Sequence, residues 1–229
     1  MTAARVLDWT PTAVVFDCDG TLMDTELHWQ KARDLVLRGY GVAPDPGFAA
    51  RAKGLHYTEC GRLMAEVAGQ PGRAEEMTVH LLDAFRELVA DDPATMPGAG
   101  ALVRGVADFA PLAVASNCPL DVVESCLDGA GLLSYFAHVV VPGNDVRPKP
   151  APDVYLTAAA LCGAEPADAL AVEDSHCGIL AARRAGLRIL GVGGDPTEEE
   201  AAAVDLWVHD LSDAGLVNWA NSRRFATTA

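Results

Sequence analysis

Two aspartates, Asp17 and Asp19, stand two residues apart directly after an apolar run, Ala13-Val14-Val15-Phe16, and are followed by Gly20 and Thr21. Carboxylates at that spacing in a loop suit a hard cation, and one carboxylate oxygen stays free to attack phosphorus. Asp-x-Asp-Gly is also a common solvated turn. The pair therefore takes its meaning from its company. Ser116-Asn117 follows the apolar residues 112–115, Lys149 comes after residues 139–141 by way of Pro142-Gly143 and Arg147-Pro148, and Glu173-Asp174-Ser175 follows residues 169–172.

This set matches what a phosphate monoester demands of a carboxylate nucleophile. Two anions repel, so a divalent cation must bridge them, with Asp174 as a second carboxylate ligand beside Asp17; an oxygen-only donor set suits Mg²⁺. Lys149 offsets the charge that accumulates in the transition state, while Ser116 and backbone N–H groups donate to the phosphoryl oxygens. Asp19 is placed to protonate the leaving alkoxide and then to deprotonate the water that hydrolyses the aspartyl-phosphate. Gly20, Thr21 and Asn117 are candidates for binding the substrate.

The elements that must position these groups follow from periodicity. Residues 13–16 read as a strand buried on both faces, and from residue 99 onward strands alternate with helices, the signature of a parallel sheet covered on both sides. Helices are expected at 99–109, 120–130, 153–162 and 178–185, strands at 112–115, 139–141, 169–172, 188–192 and 206–208, and a helix near the C-terminus. In such a sheet the loops after the strands open on one edge, where ligands bind. Between the first strand and the next lies too much helix for one crossover: 26–38, 58–68 and 73–90, separated by Gly39, Gly41, Pro44, Pro46 and Gly69-Gln70-Pro71-Gly72. Asp24 and Thr25 are the N-cap candidates for the first of these helices. The expectation is an α/β, Rossmann-like, doubly wound parallel core (residues 1–25 and 93–229, with Pro93 marking the return). An all-helical cap (26–92) is inserted into it. Residues 198–203 read as a solvated helix start, His176 as a loop residue, and 221–229 as a frayed end.

With 229 residues, half of them hydrophobic, the chain has material for a full core. Seventeen basic against thirty-two acidic residues give a net charge of −15, which disfavours nucleic acid and anionic membranes. No signal-peptide pattern or membrane-length apolar run is present, so the expected location is the cytoplasm. The expected partner is a small phosphorylated metabolite, bound by a monomer or small homo-oligomer. The six cysteines are scattered without a C-x-x-C pair, which suggests neither zinc site nor disulfide framework.

Asp17-Cys18-Asp19-Gly20-Thr21, Ser116-Asn117, Lys149-Pro150-Ala151-Pro152-Asp153 with Tyr155, and Glu173-Asp174-Ser175 with Gly178 together resemble the haloacid dehalogenase superfamily of phosphohydrolases. The similarity is to the branch of β-phosphoglucomutase and the small sugar-phosphate phosphatases. It implies Mg²⁺, a Rossmann-like core and a helical cap. It also implies that Asp17 is nucleophile and ligand, that the backbone carbonyl of Asp19 binds the metal, that Asp174 ligates it, and that Glu173 ligates it or orients its waters. Mutase-like members carry a histidine where this chain has Trp29, with His28 one residue early, and an arginine for a second phosphate where this chain has Tyr57. Loss of that clamp favours hydrolysis over phosphosugar mutation. His28, Trp29, Lys53, His56 and Tyr57 are the candidate cap contacts to the leaving group. A phosphoacceptor module similar to a response-regulator receiver is the alternative from a different class, opposed by the acid at Asp19 and by the covering insertion.

Overall fold

The computed structural model describes residues 4–91, 94–143 and 145–224. Six strands form one parallel sheet: β1 (Ala13–Phe16), β2 (Leu112–Ala115), β3 (His138–Val140), β4 (Ala169–Glu173), β5 (Arg188–Val192) and β6 (Leu206–Val208), in the order β3-β2-β1-β4-β5-β6. The β1 strand is central because its residues pack on both sides. Val14 and Phe16 join the larger apolar cluster and Ala13 and Val15 the smaller one, so successive side chains feed opposite faces of the sheet. The smaller cluster is rich in alanine, with Ala113, Ala115 and Ala171 against Ala158, Ala159, Ala181 and Ala182. Small residues on both sides let the helices approach the sheet closely.

Seven helices belong with the sheet: α1 (Ala4–Leu7) and, beyond the insertion, α6 (Ala99–Ala107), α7 (Leu120–Gly129), α8 (Asp153–Leu161), α9 (His176–Ala185), α10 (Glu198–Ala203) and α11 (Ala214–Arg224). The inserted helices are α2 (Glu26–Gly39), α3 (Phe48–Ala52), α4 (Tyr57–Val67) and α5 (Ala74–Asp91). They form the expected helical cap, in which α5 packs against both α2 and α4. Asp92 and Pro93, the expected boundary, lie outside the described residues, as do 225–229.

Four details differ from the sequence reading. The α3 helix occupies a stretch read as loop, and α1 was unread; at five and four residues neither is long enough to show a 3.6-residue period. His176 opens α9 rather than lying in a loop, because the Ser175 side chain caps the helix by accepting from Gly178 N–H. Residues 221–224 continue α11 instead of fraying, tied down by the adjacent Trp219, whose indole N–H donates to the Trp9 carbonyl at 2.9 Å.

Candidate active site

All four chemistry-bearing loops leave the same edge of the sheet, and their side chains meet. Lys149 is 4 % exposed, and its ammonium donates to Oδ1 of Asp17 and to Oε1 of Glu173, each at 2.6 Å. Asn117 sets it there: its Oδ1 accepts from the Lys149 backbone N–H at 2.8 Å, and its Nδ2 donates to the Lys149 carbonyl at 3.2 Å. Tyr155, on α8, donates its hydroxyl to Glu173 Oε1 at 2.8 Å. Its position six residues after Lys149, in the quoted motif, was the signal that it belongs to the site.

Glu173 is fully buried and its carboxylate is saturated. Beyond Lys149 and Tyr155 on Oε1, its Oε2 accepts from Asp174 N–H, Ser175 N–H and Ser175 Oγ at 3.0–3.1 Å. Gly178 permits this, since a Cβ there would lie 1.7 Å from Glu173 Oε1. Glu173 thus serves as an internal anchor for Lys149 and for the start of α9.

Asp17, Glu173 and Asp174 each offer a carboxylate oxygen within 4.8 Å of the others. Burial pushes the carboxyls of Asp17 and Asp174 up, Asp174 to about 6, against the opposing pull of Lys149 on Asp17 and of Lys53 on Asp174. A buried acidic cluster under that strain suits a divalent cation, and the all-oxygen donor set suits Mg²⁺. Thr21 Oγ1 donates to Asp174 Oδ1 at 3.3 Å. Gly20 sits so close that a Cβ would lie 2.5 Å from Asp174 Oδ2, at a positive φ of 86°. Gly20 and Thr21 therefore face Asp174 and do not line the crevice.

Asp19 is oriented from the cap side. Its Oδ1 accepts from Thr25 Oγ1 at 2.7 Å and from Trp29 Nε1 at 3.3 Å, and the Trp29 ring stacks on Phe85 with centroids 3.7 Å apart. Thr25 does occupy the N-cap position of α2, but its side chain makes no cap bond, and its hydroxyl donates to Asp19 instead. Ser116 is buried at the crevice, where its Oγ accepts from Cys118 N–H at 3.1 Å. The thiols of Cys18 and Cys118 are buried, and burial holds both well above the usual range. That argues against either as a nucleophile.

The crevice has about 60 Å³ of free volume between core and cap. Of the expected cap residues, Trp29, Lys53 and Tyr57 line it. Lys53 reaches across to Asp174 Oδ2 at 2.9 Å, and the Gly54 carbonyl accepts from Asn117 Nδ2 at 3.3 Å, so cap and core are closed on each other. His28 and His56 do not line it. His28 is buried on the packed face of α2, and His56 is the N-cap of α4, its Nδ1 accepting from Thr58 N–H at 3.4 Å. Two charged lining residues escaped the sequence reading, Glu26 and Arg33 of α2, joined at 2.9 Å. A charged residue seven positions after another, among the buried positions Ala32 and Val36, was the available sign.

Residues 11–186 match the hydrolase family of haloacid dehalogenase-like hydrolases. The chain belongs to that family. It is 34 % identical over 188 residues to a probable pseudouridine-5'-phosphatase of Drosophila melanogaster, covering 79 % of this chain and 81 % of that one. To the validoxylamine A 7'-phosphate phosphatase of Streptomyces hygroscopicus subsp. limoneus it is 32 % identical over 209 residues, or 90 % and 95 % of the two chains. Among solved structures, β-phosphoglucomutase from Clostridium difficile superposes with a TM-score of 0.78 at 20 % identity, covering 94 % of this chain and 99 % of the other, a likeness of fold. As a member of this hydrolase family with named phosphatases among its relatives, the chain is a phosphohydrolase. No helix among the described residues is long and apolar enough to cross a membrane.

Proposed function

We propose that the chain is a Mg²⁺-dependent phosphatase that hydrolyses a small phosphate monoester through an aspartyl-phosphate on Asp17. The observation that carries this reading is the contact of Lys149 with Asp17 at 2.6 Å beside the Asp174 carboxylate. Lys149 takes Oδ1, which leaves the second oxygen of Asp17 as the attacking atom. It forms the bond to phosphorus as the ester oxygen leaves, and Asp19 gives that oxygen its proton. Asp19, now a carboxylate, takes a proton from water, whose oxygen attacks phosphorus and releases Asp17 and inorganic phosphate. Mg²⁺, when bound, neutralises the phosphoryl oxygens beside the nucleophile. Asp17, the Asp19 backbone carbonyl and Asp174 are its proposed ligands. Glu173, whose two oxygens already accept five bonds, acts from behind them.

Residues 26–92 act as a cap over a core of 1–25 and 93–229. The free volume left by the closed crevice is small, so substrate entry and product release require the Lys53–Asp174 and Gly54–Asn117 contacts to part. The closed cap also supports an enzyme over a receiver-like module, whose phosphorylated residue must stay readable by a partner. A mutase remains the second reading, since Arg33 puts an arginine in the crevice, although Glu26 already neutralises it. A panel of phosphate esters assayed for Mg²⁺-dependent phosphate release tests the proposal. Conversion of a hexose 1-phosphate to its 6-phosphate faster than phosphate appears would favour the mutase, and a phosphoenzyme that survives for minutes the receiver.

A further inference from the structure

The cap wall of the crevice carries an ion pair that none of the catalytic steps uses. Arg33 is 3 % exposed, and its Nη2 donates to Glu26 Oε1 at 2.9 Å; Gln30 Nε2 approaches the same oxygen at 3.4 Å. Both donors fall on Oε1, so among the described residues Oε2 of Glu26 accepts no bond. The Glu26 side chain is one-third exposed, and both residues line the same crevice as Asp17 and Lys149. The remaining cation on this wall, Lys53, is held on Asp174 at 2.9 Å.

We propose that Glu26 and Arg33 form the specificity-determining pair of the crevice, selecting phosphate esters whose leaving group is an uncharged polyol and rejecting those that carry a carboxylate or second phosphate. The inference rests on the phosphatase reading. A carboxylate with one oxygen free accepts a hydroxyl donor, and the guanidinium, through its remaining N–H groups, donates to a neighbouring hydroxyl oxygen; a polyol supplies both. An anionic leaving group meets the Glu26 charge with no unneutralised arginine to offset it. Arg33 thus has two parts, fixing the Glu26 carboxylate through Nη2 and donating to the substrate through its other N–H groups.

Sorbitol 6-phosphate and 6-phosphogluconate test this directly, since they differ only in a terminal hydroxymethyl against a carboxylate. Wild-type kcat/KM for phosphate release with Mg²⁺ is expected to favour the sorbitol ester by at least about tenfold. In Glu26→Gln the uncompensated Arg33 is expected to bring that ratio to or below one, a shift in preference that a purely structural role does not produce. Should Glu26→Gln fail to fold by thermal melt, the Glu26→Gln/Arg33→Met variant, which buries no lone charge, carries the test. Loss of the preference in that variant supports the pair, and its retention overturns it. A wild type that prefers 6-phosphogluconate, or a folded Glu26→Gln with an unchanged ratio, overturns the inference. Release from p-nitrophenyl phosphate but from neither six-carbon ester overturns the substrate class alone. Release from none of the three overturns the phosphatase reading and this inference with it.

Discussion

Lys149 and Asp17, 132 residues apart in the chain, meet at 2.6 Å in the interior. That contact joins the loop after β3 to the end of β1 and holds an ammonium against the proposed nucleophile. Replacing Lys149 by Met leaves Asp17 and Glu173 facing each other without a cation. Breaking a buried pair in this way costs about 3–5 kcal/mol. Activity is expected to fall by about 10³-fold or more through the lost transition-state charge. Denaturant unfolding alongside kcat/KM measures both, and an unchanged stability would show that the pair contributes nothing to the fold.

Asp17→Asn keeps the shape of the side chain and removes the proposed nucleophilic oxygen. Turnover is expected to drop by at least about 10³-fold with the circular dichroism spectrum intact. Near-wild-type rates in this variant would take Asp17 out of the mechanism.

Trp29 donates its indole N–H to Asp19 at 3.3 Å, while its ring stacks on Phe85. Trp29→Phe retains an aromatic stack and deletes one hydrogen bond worth about 1 kcal/mol. The expected result is a fall in kcat of about fivefold to tenfold with KM within about threefold, because the loss acts on the proposed acid/base group. A change confined to KM would assign Trp29 to leaving-group contact instead.

Burial raises Asp174 to about 6 in the metal-free protein, above its ordinary 3.8. The folded state therefore keeps a proton that the unfolded chain gives up. This contribution to stability is present in full below the ordinary value and is lost as pH rises through about 6. Mg²⁺ must displace that proton, so its apparent affinity is expected to fall about tenfold per pH unit below 6. Thermal melts with Mg²⁺ or with EDTA, at pH 5 and pH 7.5, check this. The Mg²⁺-induced rise in Tm is expected to be large at pH 7.5 and small at pH 5, and an equal rise at both would exclude Asp174 as the titrating ligand.

Gly178 stands in the first turn of α9, where alanine is ordinarily the better helix former by about 1 kcal/mol. Here a Cβ would lie 1.7 Å from Glu173 Oε1. Gly178→Ala is expected to destabilise the protein by about 2 kcal/mol or more despite that propensity, and a stabilised variant in urea unfolding would show that the Glu173 anchor yields readily.

The strands were legible in the amino-acid sequence to within about a residue at each end, since a parallel strand buried on both faces reads as an unbroken apolar run. The helical insertion was legible because its periodic segments add up to more chain than one crossover holds. The polar groups after β1, β2, β3 and β4 were legible because a sheet of that kind opens its loops on one edge. Those features are local: each depends on residues a few positions apart, and the chain alone determined them.

Tertiary structure decided how those groups share their contacts. Glu173 was read as a ligand or as an orienter of metal-bound water, yet its oxygens are taken up by five donors, two of them the side chains of Lys149 and Tyr155 from elsewhere in the chain. His28 and His56 carry the right chemistry for a leaving-group contact, but helix packing turns one inward and end-capping uses the other. The place of the Arg33–Glu26 pair of α2 in the crevice became visible only with the cap against the core. Where a side chain ends is set by which helix faces pack together and which donors reach an acceptor first, and neither is written in the spacing of residues along a single segment.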